Sequence, residues 1–310
     1  MSQFNDTDTV EFELPAPSLP VNNPYPKSAA IRIEFGAASH VGLVRENNED
    51  AYLIHSTNRT WEKIATNLPD DELPNRYEER GYILMVADGM GGVAGGERAS
   101  NLAIRTCVNL CLDAVKWTLK LDDPTVRDEE IREGIERALG YFRQIDRTVA
   151  EDARVHPEYE GMGTTLTVCY SVGADLFVFH VGDSRCYLLR NGKFTQLTHD
   201  HTIAQELADI GVIDAEEAAQ HRLRHVLTKS IGSRAGRIEA EVQQLRLYNG
   251  DRIMMCSDGL TDMVTDEAIT TVLTQTQSSQ QACDQLIQCA LDAGGKDNVT
   301  VLVAGYTIPE

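Results

Sequence analysis

YILMVADGMGGVAGGERAS, residues 82 to 100, is the stretch whose reading decides the fold. Its apolar run, Ile83 to Ala87, is short and partly β-branched, which predicts a buried strand. The run stops at Asp88-Gly89, four more glycines follow (Gly91, Gly92, Gly95, Gly96), and a helical pattern begins near Glu97. A carboxylate at the end of a buried strand, next to a loop free to take positive φ, can turn its oxygens and neighbouring carbonyls the same way. That combination suits a hard cation. Taken alone, the stretch fits equally well a glycine-rich turn whose Asp caps the next helix.

Working outward, Ile31, Ile33 and Phe35 alternate as in a strand, and Ala51 to Ile54 suggest a second. Between His55 and Gly81 a polar insertion carrying Pro69 and Pro74 predicts a surface loop. Downstream, Ala99, Leu102, Ala103, Thr106, Cys107, Leu110, Cys111, Ala114 and Val115 keep a 3.6-residue stripe, and Ile131, Ile135, Ala138, Phe142, Ile145 and Val149 keep another. Asp122-Asp123-Pro124 separates these two helices. Strands are then expected at Thr164–Tyr170, Leu176–Val181, Cys186–Leu189, Val242–Leu247, Ile253–Cys256 and Asn298–Ala304, with hairpin signals at Asn191-Gly192 and Asn249-Gly250. His201 to His221 reads as helical with a break at Ile210-Gly211, and helices are expected at Glu267–Leu273 and Gln280–Ala290. Hairpin-linked strands and paired helices argue against parallel βαβ repeats and for a layered α+β fold.

The 310 residues fit one large domain or two small ones, and 42% apolar content supports a sizeable core. A net charge of −20 disfavours nucleic acid or an anionic membrane surface as the main partner. No run approaches the roughly 20 apolar residues of a membrane span. The opening MSQFNDTDTVEFELP has neither the basic start nor the apolar centre of a secretory signal. Seven cysteines, with no CxxC pair, read as small buried hydrophobes in a reduced, cytoplasmic protein. Residues 1–30 are polar and hold five prolines, which predicts a flexible tail ahead of a single domain over 31–310.

Acids recur beside glycine or small polar residues at strand ends: Asn48-Glu49-Asp50, Asp88-Gly89, Gly182-Asp183-Ser184-Arg185, Ser257-Asp258-Gly259 and Lys296-Asp297-Asn298. One Asp-Gly after a strand is an ordinary turn. Several carboxylates gathered from separate strands would repel one another and lose hydration, and bound cations remove both penalties. Oxygen-only ligation without His or Cys points to Mg²⁺ or Mn²⁺ rather than zinc. No twelve-residue calcium loop is present.

The ordered set Arg45-x-x-x-Glu49-Asp50, Asp88-Gly89-Met90-Gly91-Gly92, Gly163-Thr164-Thr165, Val181-Gly182-Asp183-Ser184-Arg185, Cys256-Ser257-Asp258-Gly259-Leu260 and Asp297-Asn298-Val299-Thr300 resembles the PPM family, the metal-dependent serine/threonine protein phosphatases of type 2C. The DGMGG form and Thr198–Thr202 (THDHT) look like its bacterial branch, and the likeness covers about residues 35 to 306. It implies an α-β-β-α sandwich of four layers, two central antiparallel sheets flanked by helix pairs. It also implies a mobile flap over about 200–224. By the same resemblance Asp88 would bridge two ions, the Gly89 carbonyl would bind one, and Asp258 and Asp297 would complete the other. Asp50, with Glu49 behind it, would act through waters, Asp183 with Asp258 would hold a third, weaker ion, and Arg45 would grip the substrate phosphate.

The implied activity is hydrolysis of phosphoserine and phosphothreonine in proteins, by direct attack of a water shared between two Mg²⁺ or Mn²⁺ ions. The substrate would be a phosphoprotein made by a bacterial Ser/Thr kinase, and the enzyme a monomer. No Cys-x5-Arg loop occurs, which disfavours a cysteine phosphatase: five residues beyond Cys186 stands Gly192. Two family histidines are replaced, by Met90 and Val93, so the proton for the leaving group falls to water, with His40, His180 or His199 as the weaker choice. An inactive scaffold of the same fold and a phosphatase for small phosphoesters remain as the other readings.

Overall fold

The computed structural model describes residues 30–69, 72–114, 119, 121, 124–233 and 236–309. Residues 1–29 of the expected tail, Val115 of the first stripe and Asp122-Asp123 lie outside them, and so does the side chain of Val93. The strands are β1 (Arg32–His40), β2 (Asp50–Glu62), β3 (Arg76–Met90), β4 (Gly163–Thr164), β5 (Leu166–Val172), β6 (Asp175–Val181), β7 (Arg185–Arg190), β8 (Lys193–Gln196), β9 (Glu241–Arg246), β10 (Arg252–Cys256) and β11 (Val299–Thr307). The helices are α1 (Gly92–Leu112), α2 (Arg127–Val155), α3 (Ile203–Asp209), α4 (Ala215–Gln220), α5 (Asp258–Thr261), α6 (Asp266–Gln275) and α7 (Ser279–Asp292).

Two antiparallel sheets form, ordered β1-β11-β10-β7-β8 and β2-β3-β5-β6-β9, with β4 paired to β3. Alternating side chains build three buried zones. In β3, Leu84 and Val86 face the other sheet and pack with Cys169, Val178, Ile253, Met255 and Leu302. Ile83, Met85 and Ala87 face the opposite way, towards Ala99 and Ala103 of α1 and Phe142, Ile145 and Val149 of α2. Outside the five-stranded sheet, Met254, Val301 and Val303 meet Ile269 and Leu273 of α6 and Leu286 of α7. The layers therefore run helix, sheet, sheet, helix. Burial on both faces explains why β3 and β11 read as continuous apolar runs.

The insertion expected as a loop between His55 and Gly81 is mostly hairpin instead. The β2–β3 ladder continues in register from Asp50 opposite Asp88 to Glu62 opposite Arg76, leaving residues 63–75 as the connection. β2 is an edge strand whose outer half is exposed, so ladder hydrogen bonds rather than burial hold it, and no apolar alternation marks it. β3 also runs on to Met90 and α1 starts at Gly92, ahead of the expected Glu97.

The start of α7 crosses β1 at Gly36, where a Cβ would lie 2.3 Å from the Ser279 backbone. Ser279 is fixed there by its N–H to Glu34 Oε1 and its hydroxyl to the Glu34 carbonyl, both at 3.1 Å. Gly36→Ala must push the helix off the sheet and is expected to lower stability by about 1–3 kcal/mol. An unchanged denaturant midpoint would contradict that crossing.

Strand direction brings the acids together. Asp50 opens β2, Asp88 stands near the end of β3, Asp183 follows β6, Asp258 follows β10 and Asp297 precedes β11. With neighbouring strands antiparallel, all five positions fall at one end of the sandwich.

Candidate metal centre

Asp88 is held through its backbone. Its N–H donates to Thr165 Oγ1 at 2.9 Å, and its carbonyl accepts from Thr165 N at 2.9 Å and from Thr164 Oγ1 at 2.8 Å. The Gly163-Thr164-Thr165 motif thus aims the Asp88 side chain. Gly89 permits the close approach of α1: a Cβ there would lie 2.1 Å from the Gly96 carbonyl oxygen. Asp50 Oδ2 accepts from Ser257 Oγ at 2.7 Å, while Asp50 Oδ1 is shut off from solvent with no hydrogen-bond partner.

Asn298 fastens the loop between β1 and β2. Its Oδ1 accepts from Glu49 N at 2.8 Å, and its Nδ2 donates to the carbonyls of Val41 and Asn47, each at 2.9 Å. This loop carries Arg45, which donates to Asp297 Oδ2 at 2.7 Å from a side chain that is 55% exposed. Asp297 Oδ1 accepts from the N–H of Asn298 at 2.8 Å.

The carboxylates disturb one another strongly. Burial pushes Asp50 up to about 7; the Ser257 hydroxyl restrains it, and Asp258 and Asp297 add repulsion. Asp88 is raised well above the usual carboxylate range, first by burial and then by Asp50, Asp258, Asp183 and Asp297. Asp183 is raised likewise, by burial and then by Asp258 and Asp200. Glu49 is raised mainly by burial. Such a cluster cannot ionise fully without compensating cations. The orphaned Asp50 oxygen and the all-oxygen donor set fit hard divalent ions.

All of these acids except Asp50 and Asp200 line one cleft of about 870 Å³. Arg45, Glu49, Asp88, Gly89, Asp183, Asp258 and Asp297 face it, together with Met90, Thr165, Arg224, His225, Asp262 and Lys296. Asp50 does not line the cleft but lies beside Asp88 as its cross-strand partner.

None of the three histidines weighed as proton donors lines this cleft. His180 is buried, bonded to Thr167 Oγ1 and the Gly182 carbonyl, and burial lowers it to about 4. His199 bonds Asp209 at 2.7 Å, and His40 Nδ1 accepts from Gly42 N at 2.9 Å. His225 is the histidine that faces the cleft, with Nδ1 3.5 Å from Asp258 Oδ2 and Nε2 3.4 Å from Asp262 Oδ2. Sequence reasoning missed His225 and Asp262. Asp262 had a signal, four residues after Asp258 and so on the same helical face. His225 had none, because it arrives on the long β8–β9 connection, whose sequence does not say where it touches down.

The family model described as Protein phosphatase 2C matches residues 63–293. Serine/threonine protein phosphatase PstP of Mycobacterium tuberculosis is 36% identical over 272 residues, 88% of this chain and 45% of that protein. The chain therefore spans somewhat under half the length of PstP. Protein phosphatase PhpP of Streptococcus pneumoniae is 30% identical over 87% of this chain and 96% of its own length. Among solved structures, the catalytic domain of PstP in complex with two manganese ions superposes with a TM-score of 0.67 at 34% identity, covering 89% of this chain and 99% of that one.

Proposed function

The chain belongs to the protein phosphatase 2C family of metal-dependent phosphatases, and we propose that it removes phosphate from phosphoserine and phosphothreonine in proteins. The observation that carries this reading is the convergence of Asp50, Asp88, Asp183, Asp258 and Asp297, far apart in sequence, at one end of the sandwich. Asp88, the Gly89 carbonyl, Asp258 and Asp297 would hold two such ions. Asp50 and Glu49 would act through waters, and Asp183 with Asp258 would hold a third, weaker ion. Bound there, Mg²⁺ or Mn²⁺ would lower the pKa of a bound water and offset charge on the phosphoryl oxygens.

The chain's own residues do the rest. Arg45 is half-exposed on its loop and, turning from Asp297, offers a planar pair of donors to two phosphate oxygens. Thr164 and Thr165 keep Asp88 aimed, and Asn298 keeps the Arg45 loop against β11. Met90 carries no proton, and we assign the proton taken by the leaving oxygen to water. We place the enzyme in the cytoplasm as a monomer, acting on products of a bacterial serine/threonine kinase. The free cysteines support a reducing compartment. Residues 200–224 are assigned as the flap that shapes access.

Arg45→Ala is expected to raise KM for a phosphothreonine peptide about tenfold or more, since a hydrogen bond to a charged group is worth about 1.5–3 kcal/mol. Manganese affinity should hold or improve, because the substitution removes a cation that competes for Asp297. Equal loss of both would contradict the phosphate role. The reading as a whole is tested by turnover of that peptide against p-nitrophenyl phosphate, with and without Mn²⁺. Peptide turnover that needs the metal is expected. Turnover of the small ester alone would redirect the assignment to small phosphoesters, and no turnover of either would end it.

A further inference from the structure

We propose that the cavity between the β2-β3-β5-β6 face and helices α1 and α2 binds a neutral, flat aromatic molecule that carries one hydroxyl group. The cavity measures about 380 Å³. A close-packed interior holds few voids larger than a water molecule, because the lining of a void forfeits its packing contacts. This space is more than twice the ~150 Å³ that takes up benzene in an apolar interior, so it suits a fused-ring compound. Its walls carry Tyr141 and Phe142 of α2, Tyr170 of β5, and Phe177 and Phe179 of β6. Phe142 and Phe179 stand 6.2 Å apart between ring centroids, and Tyr170 and Phe177 stand 6.3 Å apart. Rings attract at such spacings, and a ligand ring would find partners of the same kind.

Two polar atoms in this wall lack a partner. Thr57 is 8% exposed, and its Oγ1 is shut off from solvent without a hydrogen bond. His55 Nε2 is in the same condition. Both residues line the cavity, on the face of β2 that Leu53 also turns towards the helices. Buried polar atoms are normally satisfied, so these two call for a group supplied from outside the chain. They belong to residues two apart on one strand, about 7 Å. One ligand hydroxyl between them would accept from Thr57 Oγ1 and donate to His55 Nε2.

The surroundings select against charge. Burial lowers His55 below its usual 6.5, so the imidazole is neutral near pH 7 and can accept. Burial also raises Tyr141 and Tyr170, so the same wall disfavours an anion. Arg137, half-buried in the lining, restrains both tyrosines without reversing their shifts. Its guanidinium can lie against the face of a bound ring. The cavity shares no described lining residue with the metal cleft. Ile83 in its wall is five residues from Asp88 along β3, about 17 Å. Binding here therefore does not depend on the phosphatase reading.

The test is calorimetric titration of the full chain with 2-naphthol in EDTA. Naphthalene, which lacks the hydroxyl, and 2-naphthoate, which is charged, are the comparisons. Wild type is expected to take one 2-naphthol per chain, about tenfold or more tighter than 2-naphthoate. Thr57→Val keeps the shape of the side chain and should weaken 2-naphthol about fivefold or more, with naphthalene unchanged. Ala138→Phe projects into the cavity from α2 and should abolish binding of both. No saturable binding by wild type overturns the site, as does 2-naphthoate binding as tightly as 2-naphthol. A Thr57→Val variant that treats 2-naphthol as wild type does, or that loses naphthalene equally, overturns the assigned hydrogen bond and with it the proposal. A folded Ala138→Phe variant that still binds 2-naphthol would place the ligand elsewhere. Should Ala138→Phe fail to fold, the split between 2-naphthol and naphthalene in Thr57→Val decides alone.

Discussion

Asp258→Ala is expected to lower Mn²⁺-dependent turnover of a phosphothreonine peptide by roughly a thousandfold, the ~4 kcal/mol scale seen when one electrostatic partner of a transition state is removed. Asp258 faces the cleft and repels Asp50, Asp88 and Asp183, whose carboxyls it helps to hold up. Its loss therefore relieves charge crowding in the cation-free protein, and the melting temperature in EDTA should stay level or rise. The backbone of α5 is untouched, because the Asp258 carbonyl still accepts from Asp262 N. Turnover within tenfold of wild type would remove Asp258 from the machinery. A variant that unfolds would make the residue structural.

The second large effect is a coupling of stability to pH and to divalent cations. Asp50 is raised from the usual 3.8 to about 7, and Asp88 and Asp183 are also raised well above 3.8. A carboxyl with a raised folded pKa contributes stability that is complete below its unfolded value. That contribution is lost as pH climbs through the folded value. Without cations, these three groups therefore weaken the fold from about pH 4 upward to pH 7 and beyond. His180 and His201, lowered to about 4 and about 3 by burial, act in the opposite direction up to about their unfolded 6.5. The clean observable is the difference between Mn²⁺ and EDTA, from which the histidines cancel. Protons compete with the metal for the same oxygens, so the gain in melting temperature on adding Mn²⁺ should grow from pH 5 to pH 8. At a hundredfold excess over Kd each bound ion should add about 2.7 kcal/mol to the free energy of unfolding. A gain that does not vary with pH would mean that the shifted carboxyls are not the ligands.

How much of this could be read beforehand differs from residue to residue. Ile83 to Ala87 announced a strand buried on both faces, and the hairpin signals with paired helices announced a layered α+β fold. Asp88, Asp183, Asp258 and Asp297 were legible because each ends or begins a strand beside glycine or a small polar residue, and their ordered motifs belong together. The length of the β2–β3 hairpin was hidden, since Trp61 opposite Tyr77 is held by ladder pairing on an exposed edge rather than by a periodic apolar face. Arg45 resting on Asp297 was invisible as well, because it depends on how Asn298 folds the β1–β2 loop against β11. His225 shows the limit most plainly. Its role depends on where a long connection returns to the cleft, and only the three-dimensional path of the chain decides that.

The decisive question is whether the cleft gathers cations between its strand-end acids. Anomalous difference density at the manganese edge, from crystals of the full chain grown with Mn²⁺, tests this directly. Two strong peaks are predicted, both bonded to Asp88, with Asp258 and Asp297 on one of them. A map with no manganese between Asp88 and Asp258 would contradict it.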